Sequence, residues 1–144
     1  MPNEDTVERI MTSPVKTINA SDTLGSAAEA MVMNEIGAVV VIEGTNLIGI
    51  VTERDIVKQV VGPNGALKKP VKQLLLKSLI TVEPTTTIQE AFEIMLKNKI
   101  RRLPIVDKSK LVGIVTEKDL MRWVLRVCYE PNVPPHIKAV LEPC

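Results

Sequence analysis

Residues 49–55 read GIVTERD and residues 113–119 read GIVTEKD, one phrase written twice with Arg54 exchanged for Lys118. Asp55 and Asp119 stand 64 residues apart, and at that offset the two halves of the 144-residue chain align without a gap. Met31 meets Met95, Asn34 meets Asn98, Ile36 meets Ile100, Leu47 meets Leu111 and Thr17 meets Thr81. The chain is therefore a duplication running from about Val7 and Val71 to Val61 and Leu125, and the phrase is its best-preserved part.

Working outward, each half can be read once and checked against the other. Leu24, Ala27, Ala28 and Met31 have helical spacing, and Ile88, Ala91, Phe92 and Met95 repeat it. Both helices start behind hydroxyl or acidic residues, SDT and TTT, and Thr87 with Glu90 has the pattern of a capping box. Next come two apolar runs around a polar turn: AVVVI and LIGIV around EGTN, then LPIV and LVGIV around DKSK. These predict pairs of strands covered on both faces, because they are nearly all apolar. A second helix follows, with the stripe Ile56, Val57, Val60 and Val61 echoed by Leu120, Met121, Val124 and Leu125.

A further short strand is expected near 15–18 and 79–82, and a short helical turn, VERIM or VKQLL, before each half. The fold class expected is α/β (α+β), two tandem β-α-β-β-α repeats. A unit this small is marginal alone, so the copies should pack with pseudo-twofold symmetry. The expected domains are 1–62 and 71–127, joined by a breaker-rich linker at 63–70 and followed by a Pro-rich tail at 128–144 with a short helix near 136–141.

Eighteen basic and seventeen acidic residues leave a net charge of +1, so no global field steers the chain onto nucleic acid. With only Phe92, Trp123 and Tyr129 as aromatics, there is little on which bases could stack, and the core must be aliphatic. No apolar run approaches the roughly 18 residues of a membrane helix, and MPNEDTVERIM is too polar for a signal peptide. A cytoplasmic protein without a membrane partner is expected. Cys128 and Cys144 show no metal-ligand spacing and read as free thiols, so no metal site is expected. His136 is the sole histidine and has no nucleophile at a telling spacing, so no catalytic residue is assigned. Trp123 reads as core or as a dimer contact, and Lys68, Lys69 and Lys72 as a solvated cluster.

The phrase itself has two chemical readings. Thr-x-x-Asp is a helix capping pattern, and duplication copies a cap as readily as a site. Yet capping boxes prefer Glu or Gln to the shorter Asp, and a helix N-terminus beside Arg54 or Lys118 is suited to an anion. A carboxylate that can accept from both hydroxyls of a vicinal diol, next to a phosphate-binding cation, fits a ribose phosphate. The glycine opening the phrase is expected to allow a close backbone approach.

The stretches IGAVVVIEGTNLIGIVTERD (36–55) and NKIRRLPIVDKSKLVGIVTEKD (98–119) resemble CBS domains, the regulatory motif named after cystathionine β-synthase, in the tandem pair called a Bateman module. The second stretch is similar to the nucleotide-site pattern of the γ subunit of AMP-activated protein kinase, and the resemblance covers about 7–127. It implies composite sites in the cleft between repeats, where Thr-x-x-Asp of one repeat holds the ribose and the strands of the other hold adenine and phosphate. Site one would use Ile50, Thr52, Arg54 and Asp55 with Ile80, Arg101, Arg102 and Pro104, and Lys118 near the phosphates. Site two would use Ile114, Thr116, Lys118 and Asp119 with Lys16, Gly37, Ala38 and Val40.

The resemblance further implies a non-catalytic, energy-sensing regulatory module with no required cofactor. Its ligand would be AMP, ADP, ATP or S-adenosylmethionine. Its partners would be a second copy of itself, paired through the helices, and a regulated enzyme or transporter. Arg101 and Arg102 align with Gly37 and Ala38, and Pro104 with Val40, so the two sites should differ. Site one gains the planar donor forks suited to phosphate; site two suits a less charged ligand such as S-adenosylmethionine. The alternative is a ligand-free interaction module in which Thr-x-x-Asp is only a cap. An inosine monophosphate dehydrogenase fragment would lack that enzyme's barrel of about 250 residues.

Overall fold

A computed structural model of the chain describes residues 5–62, 66–75, 79–129 and Pro135. The tail helix expected near 136–141, His136, Cys144 and the side chain of Cys128 lie outside the described residues. The chain falls into two compact units. The first comprises Pro14–Ile80 with Lys108–Leu111, and the second gathers the N-terminal segment to Ser13 with Thr81–Asp107 and the residues from Val112 onward.

In the first unit, β1 (Thr17–Asn19), α1 (Leu24–Asn34), β2 (Ala38–Glu43), β3 (Asn46–Thr52) and α2 (Glu53–Val61) follow the expected order. The sheet order is β1-β2-β3, with β1 parallel to β2 and β2 antiparallel to β3. Val39, Val40 and Val41 are buried in succession, which requires cover on both faces of the sheet. Ile18, Leu24, Ala27, Met31, Val39, Val41, Val51 and Ile56 form one aliphatic core.

The second repeat follows with α3 (Ile88–Asn98), β4 (Arg102–Asp107), β5 (Lys110–Thr116) and α4 (Glu117–Tyr129), all in the second unit but for the first two residues of β5. The strands expected near 15–18 and 79–82 are displaced or reduced. The first is β1, slightly later in the chain; the second shrinks to a single parallel bridge between Val82 and Ile105. Proline chemistry accounts for the loss. In the first repeat the Val40 N–H donates to the Lys16 carbonyl at 3.3 Å, but Pro104 stands at the equivalent position and has no N–H. What survives is Val82 N–H to the Pro104 carbonyl at 3.0 Å and Val106 N–H to the Val82 carbonyl at 2.9 Å.

The helical turns before each half form as expected, as 3-10 turns at Val7–Arg9 and Val71–Leu74, but each completes the other repeat. Val71 lies fully buried in the core of the first unit and donates its N–H to the Asp22 carbonyl at 2.8 Å, while the Leu24 N–H donates to the Lys69 carbonyl at 3.0 Å. Val7 is fully buried in the second unit and donates to the Thr86 carbonyl at 2.9 Å. Thr12 and Ile114 exchange backbone bonds of 2.8 and 3.1 Å. Trp123 is neither a core residue nor fully exposed; its Nε1–H donates to Asp5 Oδ2 at 2.6 Å, tying α4 to this leader.

The glycines that open the two phrases are explained by the same exchange, and it is a side chain rather than a backbone that they admit. A Cβ on Gly49 would stand 2.6 Å from Leu75 Cδ2, and one on Gly113 would overlap Met11. Each leader therefore lays an apolar side chain across a glycine of β3 or β5. The apolar stripes of α2 and α4 are split: Ile56 and Leu120 are buried, whereas Val57, Val60, Val61, Met121 and Leu125 are exposed. Those positions lie on the side of each helix away from its own core.

Candidate functional site

Thr52 closes β3 and caps α2; Thr116 does the same between β5 and α4. In both places the Asp three residues on returns the bond. Asp55 N–H donates to Thr52 Oγ1 at 3.2 Å, and Asp55 Oδ2 accepts from the Thr52 N–H and hydroxyl, each at 2.9 Å. The Thr116 and Asp119 bonds have the same lengths. Asp thus closes a capping box despite being shorter than Glu, and Thr52 and Thr116 are real caps. The Glu version at Thr87 and Glu90 closes through the two backbone N–H groups alone. In the repeated phrase the hydroxyl also donates to the carboxylate, so one oxygen, Oδ2, takes two bonds and Oδ1 stays outside the box.

The two carboxylates differ in setting. Asp119 is 8% exposed, and its Oδ1 lies 3.8 Å from Arg122 Nη1. Asp55 is half-buried. Arg122 was not singled out from the sequence, although its i,i+3 spacing from Asp119 is a readable sign of pairing.

Backbone bonds bring the start of each inner strand beside the cap of the same repeat. In the first unit Ala38 stands opposite Thr52 and Val40 opposite Ile50, and the Glu53 N–H donates to the Gly37 carbonyl at 3.0 Å. The first unit thus assembles Ile50, Thr52, Arg54 and Asp55 with Lys16, Gly37, Ala38 and Val40; Ile80, half-buried, closes its chain segment. In the second unit the Glu117 N–H donates to the Arg101 carbonyl at 2.9 Å, which sets Arg101, Arg102 and Pro104 beside Ile114, Thr116, Lys118 and Asp119. Ile80 apart, each unit therefore carries the cap half of one expected site and the strand half of the other.

Charge is unequal between these assemblies. Arg54 and Lys118 are exposed at matching positions. The second unit adds Arg101, whose Nε stands 3.7 Å from Glu117 Oε2 in a solvated pair, and half-buried Arg102. A surface pair of that kind contributes about 0–1 kcal/mol and is easily exchanged for another anion. Carboxylate oxygens that accept, helix N-termini and guanidinium donors together suit a polyhydroxylated, anionic ligand.

A family model described as the CBS domain matches residues 7–62 and again 71–126. The CBS domain-containing protein YhcV of Bacillus subtilis is 35% identical over 114 residues, covering 79% of this chain and 81% of that protein. Among solved structures, the CBS domain pair of protein MJ0100, crystallised with 5'-methylthioadenosine and S-adenosyl-L-methionine, superimposes with a TM-score of 0.76 at 25% identity, covering 84% of this chain and 96% of that one. CBSX2 in complex with AMP superimposes with a TM-score of 0.74 at 27% identity, covering 86% and 98%.

Proposed function

The chain belongs to the CBS-domain family as a tandem pair, and we propose that it is a non-catalytic regulatory module whose ligand is an adenosine compound. The observation that carries this reading is the pair of Thr-x-x-Asp boxes, each fixing a carboxylate on Oδ2 with Oδ1 outside the box. A rigid carboxylate can accept from a ribose diol without first losing rotamer freedom. Solved relatives with AMP and with S-adenosylmethionine supply the ligand class.

Site one takes AMP, ADP or ATP: Asp55 and Thr52 on the ribose, Ile50 and Ile80 against adenine, and Arg101, Arg102 and Lys118 on phosphate, with Arg54 and Pro104 shaping the site. Site two, built from Lys16, Gly37, Ala38, Val40, Ile114, Thr116 and Asp119, lacks the Arg pair and takes the less charged S-adenosylmethionine. The module acts in the cytoplasm and passes occupancy to an enzyme or transporter by favouring the conformation the ligand binds better. It pairs with a second copy through the exposed helix residues, among them Val32, Val57, Leu96 and Met121.

The closed caps favour a second reading, an interaction module in which the boxes only start helices. Thermal unfolding with a panel of adenosine ligands separates the two. Ligand at 100 times its dissociation constant should add about 2.7 kcal/mol of stability; an unchanged transition with every member of the panel leaves the interaction module standing.

A further inference from the structure

A ribose diol held by a Thr-x-x-Asp box needs the oxygen that the box leaves over, and in the second repeat that oxygen already faces a cation. Asp119 Oδ2 accepts from the Thr116 N–H and hydroxyl, while Oδ1 lies 3.8 Å from Arg122 Nη1. The Asp119 side chain is 8% exposed and that of Arg122 71% exposed. The guanidinium therefore stands on the solvent side of an otherwise closed acid.

The first repeat is built differently at this point. Lys58 takes the place of Arg122 and is exposed, and among the described residues no ion pair joins it to the half-buried Asp55. A lysine ammonium is a strongly hydrated point charge, whereas a guanidinium is a planar fork that matches a carboxylate. The duplication preserved the box and changed what faces its outer oxygen.

Helix α4 is held on both sides of this pair. The Asp119 N–H closes the box on Thr116 at 3.2 Å, and the Trp123 indole donates to Asp5 at 2.6 Å. Gln59 and Lys69 stand at the equivalent positions of the first repeat. With its backbone fixed, Arg122 leaves Asp119 by rotating its own exposed side chain. An exposed pair of this kind is weak and screened by salt, so a competing group can displace it.

We infer that Arg122 competes with the ribose diol for Oδ1 of Asp119, so that the second box fills only at a higher riboside concentration than its bare carboxylate would need. The inference rests on the boxes holding ribose, as proposed above, and adds how one of them is regulated.

Calorimetry with adenosine, a neutral diol, tests it on the full chain carrying Asp55→Asn, which leaves Asp119 as the charged acceptor. On that background Arg122→Ala should bind adenosine about two- to fivefold more tightly, the full effect of losing an exposed ion pair. Raising potassium chloride from about 0.05 to 0.5 M should tighten binding only where a cation stands at 122. Arg122→Lys keeps the charge and should keep the salt response, which a change in packing alone would not move. On an Asp119→Asn background, Lys58→Ala should bring no gain at the first box. Unchanged or weaker adenosine binding in Arg122→Ala, or one salt response with and without Arg122, overturns the competition. Adenosine binding that is indifferent to both Asp55→Asn and Asp119→Asn overturns the ribose reading itself, and the competition with it.

Discussion

Thr52 and Asp55 hold each other by three hydrogen bonds, and whether that arrangement serves the helix, a ligand or both is decided by substitution at single atoms. Thr52→Ala and Thr116→Ala each remove a cap and should cost about 1 kcal/mol, read from urea unfolding. Asp55→Asn keeps an acceptor for the cap but removes the charge, so its stability should change less than that of Thr52→Ala. At this scale the sequence was informative: a Thr three residues before an Asp at a strand end already specified the cap. It misled at Gly49 and Gly113, because an empty position shows that something comes close but not what. The occupants, Leu75 and Met11, lie outside the repeat they pack on.

Among elements, the helices and the paired strands were legible because their apolar periods are long and appear twice. What periodicity does not encode is which repeat a short turn will pack on. Val7 and Val71 sit at equivalent positions ahead of their own repeats, and both are buried in the other unit. Val7→Ala and Val71→Ala should each lose about 2 kcal/mol, the transfer free energy of two methyl groups with a partly collapsed cavity. A loss for both below a few tenths of a kcal/mol in urea unfolding would contradict the exchange. A fragment of residues 71–144 lacks Val7 and the Thr12 bonds, so it should unfold at lower urea than the intact chain. The reduced strand at Val82 has a cause readable in the sequence, Pro104, once the register opposite β4 is known.

For the whole molecule, family membership follows from both repeats, while the proposed ligand choice rests on a few side chains that the duplication did not preserve. Arg101 and Arg102 against Gly37 and Ala38 make the second unit the carrier of the basic pair. An Arg101→Ala, Arg102→Ala chain should therefore lose selectivity for ATP over adenosine while retaining weak adenosine binding, measured by competition calorimetry. Equal loss for both ligands would place the pair outside the phosphate subsite. No helix among the described residues is long and apolar enough to cross a membrane.

The most direct test of the proposed function is isothermal titration of AMP and of S-adenosylmethionine into the wild-type chain, Asp55→Asn and Asp119→Asn. The account predicts that the wild type binds and that Asp55→Asn, folded by circular dichroism, loses about 10- to 100-fold in AMP affinity, the equivalent of one charge-assisted hydrogen bond of roughly 1.5–3 kcal/mol. Asp119→Asn should weaken S-adenosylmethionine instead. Identical affinities in all three chains, or no binding of either ligand by the wild type, would contradict it.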